Sequence, residues 1–153
     1  MTQDIRRGDL DDPRIVALLR HHYDMCHAVT PKCSAHVFTL EQLAAPEIDF
    51  WAAWDGETLL GVGAMKPLDP AHGEVKSMHT AEAARRRGVG GAILRHIMAT
   101  SQARGIARLS LETGSFAYFV PAVALYRAHG FTDCPPFGDY RPDPNSLFLT
   151  RAL

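Results

Sequence analysis

Cysteine is scarce in this chain, at three residues, Cys26, Cys33 and Cys134. The count is odd and no Cys-x-x-Cys pair occurs, which argues against a disulfide framework and against a zinc knuckle. Net charge is nearly absent too: 16 Lys and Arg stand against 17 Asp and Glu, for a formal charge of -1 and a pI of about 6.7. A general nucleic-acid binder is usually basic overall, so that class is disfavoured, although a local anion site is not. No apolar run approaches the ~20 residues that span a bilayer. The opening "MTQDIRRGDLDD" is polar and charged, unlike a secretory leader. Eight histidines are present, yet no His-Glu-x-x-His or other ligand spacing occurs. His21 and His22 are adjacent, and adjacent side chains on a helix point apart. These absences point away from metal, membrane and nucleic acid, and toward a protein of the reducing cytoplasm.

What is there is an ordinary globular composition, 46% hydrophobic and 22% charged over 153 residues. Residues 1–153 are read as one domain, long enough to bury a core without staples. "TQDIRRGD" suits a short edge strand. "DDPRIVALLRHHYDMCHAV" predicts a helix, with Asp12 as N-cap, Pro13 in first position, and Ile15, Leu18, Leu19 and Tyr23 on one face. "TLEQLAAP" predicts a second, short helix capped by Thr39 and Gln42. "IDFWAAW" and "TLLGVGAM" form a strand pair around the turn "DGE", with Gly61 and Gly63 leaving one face bare. "HGEVKSMHT" is a further strand, with Val75 and Ser77 on one face and Glu74, Lys76 and Met78 on the other. A long helix follows, from Val89 to a stop at Gly105. Then come the strand "ARLSLET", the helix "VPAVALYRAHG" and the closing strand "LFLTRAL". The order implies a mixed α/β domain, with the strands either side of the long helix as parallel neighbours.

The densest positive charge, Arg85 to Arg87, runs straight into Gly88, Gly90 and Gly91. A phosphate-binding P-loop would need a lysine after the glycines, and a dinucleotide fingerprint would need a third glycine where Ile93 stands. What remains is strand, basic loop, Gly-x-Gly-Gly and helix. Free N–H groups at a helix start carry the positive end of the helix dipole, and glycines let an anion come close. Arginine adds charge suited to phosphate. A solvated basic turn is the competing reading of the same residues, and an "RRRG" nucleic-acid patch is a third.

The stretch "RRRGVGGAILRHIMATSQARG" resembles the acyl-CoA-binding motif of the GNAT acyltransferase superfamily, (Q/R)xxGx(G/A), through Arg85, Gly88 and Gly90. "VKSMHT" is similar to the strand that meets the pantetheine arm in that family. "PAVALYRAHGF" matches its AxxLYxxxGF segment through Ala122, Leu125, Tyr126, Gly130 and Phe131. "DFWAAWDG", "HGEVKSMHT", "LSLETGS" and "FGDYRPDPNSLFLTRAL" look like the YsnE-like branch of bacterial GNAT proteins.

The resemblance implies the GNAT acyl-CoA N-acyltransferase fold, a mixed, mostly antiparallel central sheet flanked by helices. It implies an N-acetyltransferase with acetyl-CoA as co-substrate, a small amine or amino acid as acceptor, no metal, and a homodimer as one compatible assembly. A non-catalytic acyl-CoA sensor on the same fold is the alternative. It places Arg85, Arg86, Arg87, Gly88, Val89, Gly90 and Gly91 at the pyrophosphate, and Met78, His79 and Thr80 along pantetheine. Tyr126 matches the family's general acid toward the sulfur, and Glu74 its carboxylate base, with Glu112 in "SLETGS" as the rival base. The family's asparagine seven residues before that tyrosine is Phe119 here. Lys76, His36, Tyr140 and Arg141 would suit a substrate carboxylate if their loops meet. Cys134 has no basic neighbour and is disfavoured as a nucleophile.

Overall fold

Asp12 starts the first long element as its sequence context predicts. In the computed structural model, which describes residues 3–31 and 34–153, its side chain accepts a hydrogen bond from the Arg14 N–H at the start of α1 (Pro13–Val29). Pro13 stands in the first turn, where a missing N–H costs nothing. Cys33 lies outside the described residues. The edge strand β1 (Asp4–Arg7) precedes α1. The single turn α2 (Leu40–Leu43) is held by reciprocal bonds between Thr39 and Gln42, so the predicted capping box is formed.

Strands β2 (Asp49–Asp55) and β3 (Thr58–Asp69) form a hairpin that turns through Gly56 at a φ of 58°. Strand β4 (His72–Thr80) lies antiparallel to β3. The chain then crosses through α3 (Val89–Ala103) to β5 (Arg108–Gly114), which runs parallel to β4 as the strand-helix-strand order implies. Helix α4 (Val120–Ala128), the two-residue β6 (Thr132–Asp133) and β7 (Ser146–Ala152) complete the path. The strands make one sheet of seven in the order β1-β2-β3-β4-β5-β7-β6. Among the described residues only β4 with β5 is a parallel pair, so the sheet is mixed and mostly antiparallel.

The face that Gly61 and Gly63 leave without side chains is where α3 docks. A Cβ at Gly63 would come within 2.7 Å of Ile93 and of Met78, so the glycine lets the helix approach the strand. Ile93, Leu94 and Ile97 are wholly buried there beside Leu109 and Leu149. On the other face Ile15 and Leu19 of α1 and Leu43 of α2 pack on Phe50, Trp54 and Val62.

Two departures from regular pairing shape the middle of the sheet. The β3–β4 register steps from Ala64 opposite Lys76 to Val62 opposite His79, which inserts one extra residue into β4. Ser77 sits at this bulge with a φ of 55°. The bulge corrects the expected alternation: Met78 turns to the α3 face with Val75, while Glu74 and Lys76 keep the opposite face. Secondly, β4 and β5 pair over His72–Glu74 with Arg108–Ser110, and both strands continue beyond that pairing. The sheet opens there, at the carboxyl ends of its parallel strands, where open α/β sheets place their ligands.

Candidate functional site

A cavity of about 630 Å³ occupies this opening. At one end it is lined by Arg85, Arg86, Gly88, Val89, Gly90 and Gly91, with Met78, His79 and Thr80 along β4. Gly88 caps α3 in the left-handed region, at a φ of 77°, where a side chain is disfavoured. The first backbone bond closing α3 runs from the Ala92 N–H to the Gly88 carbonyl. The amides of Val89, Gly90 and Gly91 therefore precede the helical ladder and are the donors that a helix start leaves over. A Cβ at Gly88 would meet nothing within 4 Å, so the cradle is open. Arg87 is placed differently from its neighbours: it is outside the lining, and its carbonyl accepts from the Gln3 side chain at 3.1 Å.

Midway along the cavity His79 meets α1. Its Nδ1 lies 3.1 Å from Nδ1 of His22, so one ring donates and the other accepts. His21 also reaches His79, edge to face at 5.8 Å between centroids. His21 and His22 leave the helix about 100° apart, as expected, yet both reach the ring of His79. Burial holds His22 down to about 3, with His79 and His21 adding to it, and holds His79 down to about 4, with His21 and Arg85 adding to it. Both are neutral at pH 7.

The far end brings together Glu112 of β5, Tyr126 of α4, Cys26 and Thr30 of α1, and Ser34 to Val37 of the following loop. Glu112 accepts a hydrogen bond from Ser146 Oγ at 2.8 Å, and burial raises it to about 7. Tyr126 packs on Phe131 in the core and is 6% exposed, and the little surface it keeps opens on the cavity. Burial, then the Glu112 charge, pushes its hydroxyl well above the usual range, so it carries its proton at ordinary pH. Cys26 is raised to about 11 by burial and by Glu112, which leaves a thiol and no thiolate nucleophile. Tyr118 and Phe119 wall this end with edge-to-face rings.

Glu74 sits beside the cavity and off its lining. It is buried, paired with Lys76 Nζ at 3.2 Å, and it accepts from the Tyr140 hydroxyl at 2.5 Å. Lys76 does line the cavity, and also donates to the Tyr140 oxygen at 3.0 Å and to the His36 carbonyl at 3.2 Å. Its ammonium lies 4.2 Å from the Phe38 ring centroid. Lys76, His36 and Tyr140 thus meet as the charge types suggest, while Arg141 is exposed on the adjoining loop. The Lys76 protons are already shared among three acceptors.

The contribution of α1 was not readable from the acyl-CoA motifs, which lie more than 40 residues beyond its end. The available signal was His22 and Cys26 one turn apart on the face that Ile15 and Leu19 make apolar. Among the described residues no group of three or more His, Cys, Asp or Glu is arranged to hold a metal ion, and no helix is long and apolar enough to cross a membrane.

The acetyltransferase (GNAT) family matches residues 15–131 of the chain. The chain is 47% identical over 149 residues to the uncharacterized N-acetyltransferase YsnE of Bacillus subtilis (strain 168), covering 97% of this chain and 99% of that protein. It is equally 47% identical to the uncharacterized N-acetyltransferase YedL of Escherichia coli (strain K12), covering 97% and 94%. Among solved structures, a GNAT family acetyltransferase from Elizabethkingia anophelis with acetyl-CoA bound superposes with a TM-score of 0.73 at 18% identity, over 99% of this chain and 98% of the other.

Proposed function

The chain belongs to the GNAT acetyltransferase family, and from that premise we propose a specific reaction and division of labour for this site. An acetyl group passes from acetyl-CoA to the amine of a small molecule or amino acid. Glu112 takes the proton from the incoming ammonium, and Tyr126 returns one to the departing sulfur. The observation that carries this reading is a single cavity holding an open glycine cradle, a carboxyl poised near neutrality and a protonated phenol.

The cradle fits a pyrophosphate. The Val89, Gly90 and Gly91 amides supply donors, Gly88 leaves room for the anion, and Arg85 and Arg86 supply charge. Met78, His79 and Thr80 offer backbone groups along the opened strand to the pantetheine arm. Acetyl-CoA brings the activated thioester. The protein must then deliver an uncharged amine, because an ammonium has no lone pair to attack with. A carboxylate with its proton equilibrium near 7 is suited to that task at working pH. Glu74, the carboxylate the family motif favours, is held by Lys76 and Tyr140 off the lining, so the base role passes to Glu112. Tyr126 carries its proton at working pH, so its hydroxyl can donate to the departing sulfur as negative charge builds there.

Glu112→Gln should lower kcat/KM by about 100-fold or more, with acetyl-CoA affinity by calorimetry unchanged. Tyr126→Phe should lower kcat by about tenfold or more, again without loss of affinity. Undiminished turnover in Glu112→Gln, with collapse in Glu74→Gln, would return the base role to Glu74.

A further inference from the structure

We propose that Lys76, clamped by Glu74 and Tyr140, is a positioning residue that tunes the charge of Glu112 from across the opening between β4 and β5. Its bearing on catalysis rests on Glu112 being the base, whereas the coupling between the charges does not.

The sheet geometry brings these groups together. Glu74 stands opposite Ser110 in the parallel pairing of β4 with β5. Two residues further along each strand, on the same face, come Lys76 and Glu112. The strands have parted by then, so the two side chains line the cavity from its two walls. The side chains of Lys76 and Glu74 are only 7% and 5% exposed, so water screens them little.

A buried ion pair is a poor stabilising device. Its desolvation cost commonly matches or exceeds its attraction, and an apolar pair of similar volume would serve the core as well. A pair with a nearby catalytic carboxyl has another use. Lys76 favours the charged form of Glu112 and Glu74 opposes it, and of the pair Lys76 lines the cavity while Glu74 lies behind it. Glu112 is then neither stripped of its proton, as beside a lone lysine, nor locked neutral, as beside a lone carboxylate.

Burial, which raises Glu112, and the Ser146 hydrogen bond, which lowers it, act on it more strongly than Lys76 does, and Asp143 acts less. Ser146 on β7 donates to it and favours the carboxylate, and Asp143 in the preceding loop opposes it. Cys26 on α1 and Tyr126 on α4 stay protonated and carry no charge. Tyr140 is kept protonated by burial and by Glu74, so it supplies a hydrogen bond that orients the pair.

The test is a pH titration of the full chain labelled with carbon-13 at the glutamate carboxyls, followed by NMR. The Glu112 resonance is the one that disappears in Glu112→Gln. Lys76→Met should move its midpoint up, and Glu74→Gln should move it down, each by about one pH unit. Lys76→Arg, which keeps the charge, should leave it near the wild-type value. Glu74→Gln retains the shape and hydrogen-bonding capacity of the pair, so it decides the matter alone if Lys76→Met does not fold. An unmoved midpoint in Glu74→Gln, or shifts of the same sign in both variants, would overturn the coupling. A pH–rate series on Glu112→Gln separates the two ideas. Persistence of the acidic limb there removes the base assignment and leaves the NMR midpoints untouched. Loss of that limb with unmoved midpoints keeps the base and discards Lys76.

Discussion

Gly63 and Gly88 both belong to the seating of α3, and their surroundings are opposite. At Gly63 a side chain would strike Ile93 and Met78 at 2.7 Å; at Gly88 it would meet nothing within 4 Å. The difference extends outward from each. Around Gly63 the neighbours are apolar, with Ile93 and Ile97 wholly buried and Met78 partly so. Around Gly88 begins the cavity that holds Glu112, Lys76, His22 and His79. The same residue type thus closes one region and opens the other. One region is built for fit, and the other keeps titratable groups in a poorly solvated space.

Lesions at the two glycines should be felt on different axes. Gly63→Val puts branched carbon into a filled interface and should cost about 3 kcal/mol of stability by urea denaturation, with acetyl-CoA affinity of the folded protein retained. Gly88→Leu points into open space. It should cost about 1 kcal/mol, for a side chain in the left-handed region, yet weaken acetyl-CoA binding about tenfold or more by calorimetry. Wild-type affinity in Gly88→Leu would remove the cradle from the open region and break the comparison.

The closed region was largely legible in the sequence. Caps at Asp12 and Thr39, apolar periodicity in α3 and the turn at Gly56 are local signals, and local signals set the elements. The parallel crossing of β4 to β5 followed from the strand-helix-strand order. The glycine loop was legible because its chemistry is carried by backbone amides that are contiguous in sequence. The rest of the open region was harder to read, for a physical reason. A single-residue bulge at Ser77 reverses which face Met78 occupies, and alternation alone contains no trace of it. The partners of Glu74, namely Tyr140 and through Lys76 the His36 carbonyl, come from loops 66 and 38 positions away. Charge type suggested that cluster, but its use of every Lys76 proton inside the protein required the fold.

A stability measurement sharpens the contrast next. Glu112 is raised from an ordinary 4.5 to about 7, so the fold prefers its protonated form. That contribution is complete below about pH 4.5 and is lost as pH rises through 7. Gln mimics the protonated carboxyl at every pH. Glu112→Gln should therefore match wild type near pH 4 and exceed it by about 3 kcal/mol at pH 8, even as activity falls. Equal stability at both pH values would mean that water reaches Glu112 freely and that the open region is not poorly solvated.

The smallest effect concerns the other titratable pair of the open region. His22 and His79 are held at about 3 and about 4, below their ordinary 6.5, by burial first, then by His79 and His21 acting on His22 and by His21 and Arg85 acting on His79. Their neutral forms are what the fold accepts, so this contribution is present above pH 6.5 and fades as pH falls toward 4. At pH 5.5 the loss is about 1 kcal/mol for each ring that titrates in the unfolded chain. Their bond joins α1 to the second half of β4, where β3 pairing has just shifted register. His22→Gln keeps a polar partner for His79 and removes one titrating ring. The drop in urea-unfolding free energy between pH 7 and pH 5.5 should shrink by about 1 kcal/mol in this variant, whatever its absolute stability. An undiminished drop would assign the acid sensitivity to groups outside the cavity, and the contrast between the sealed and open regions would then rest on Glu112 and the glycines alone.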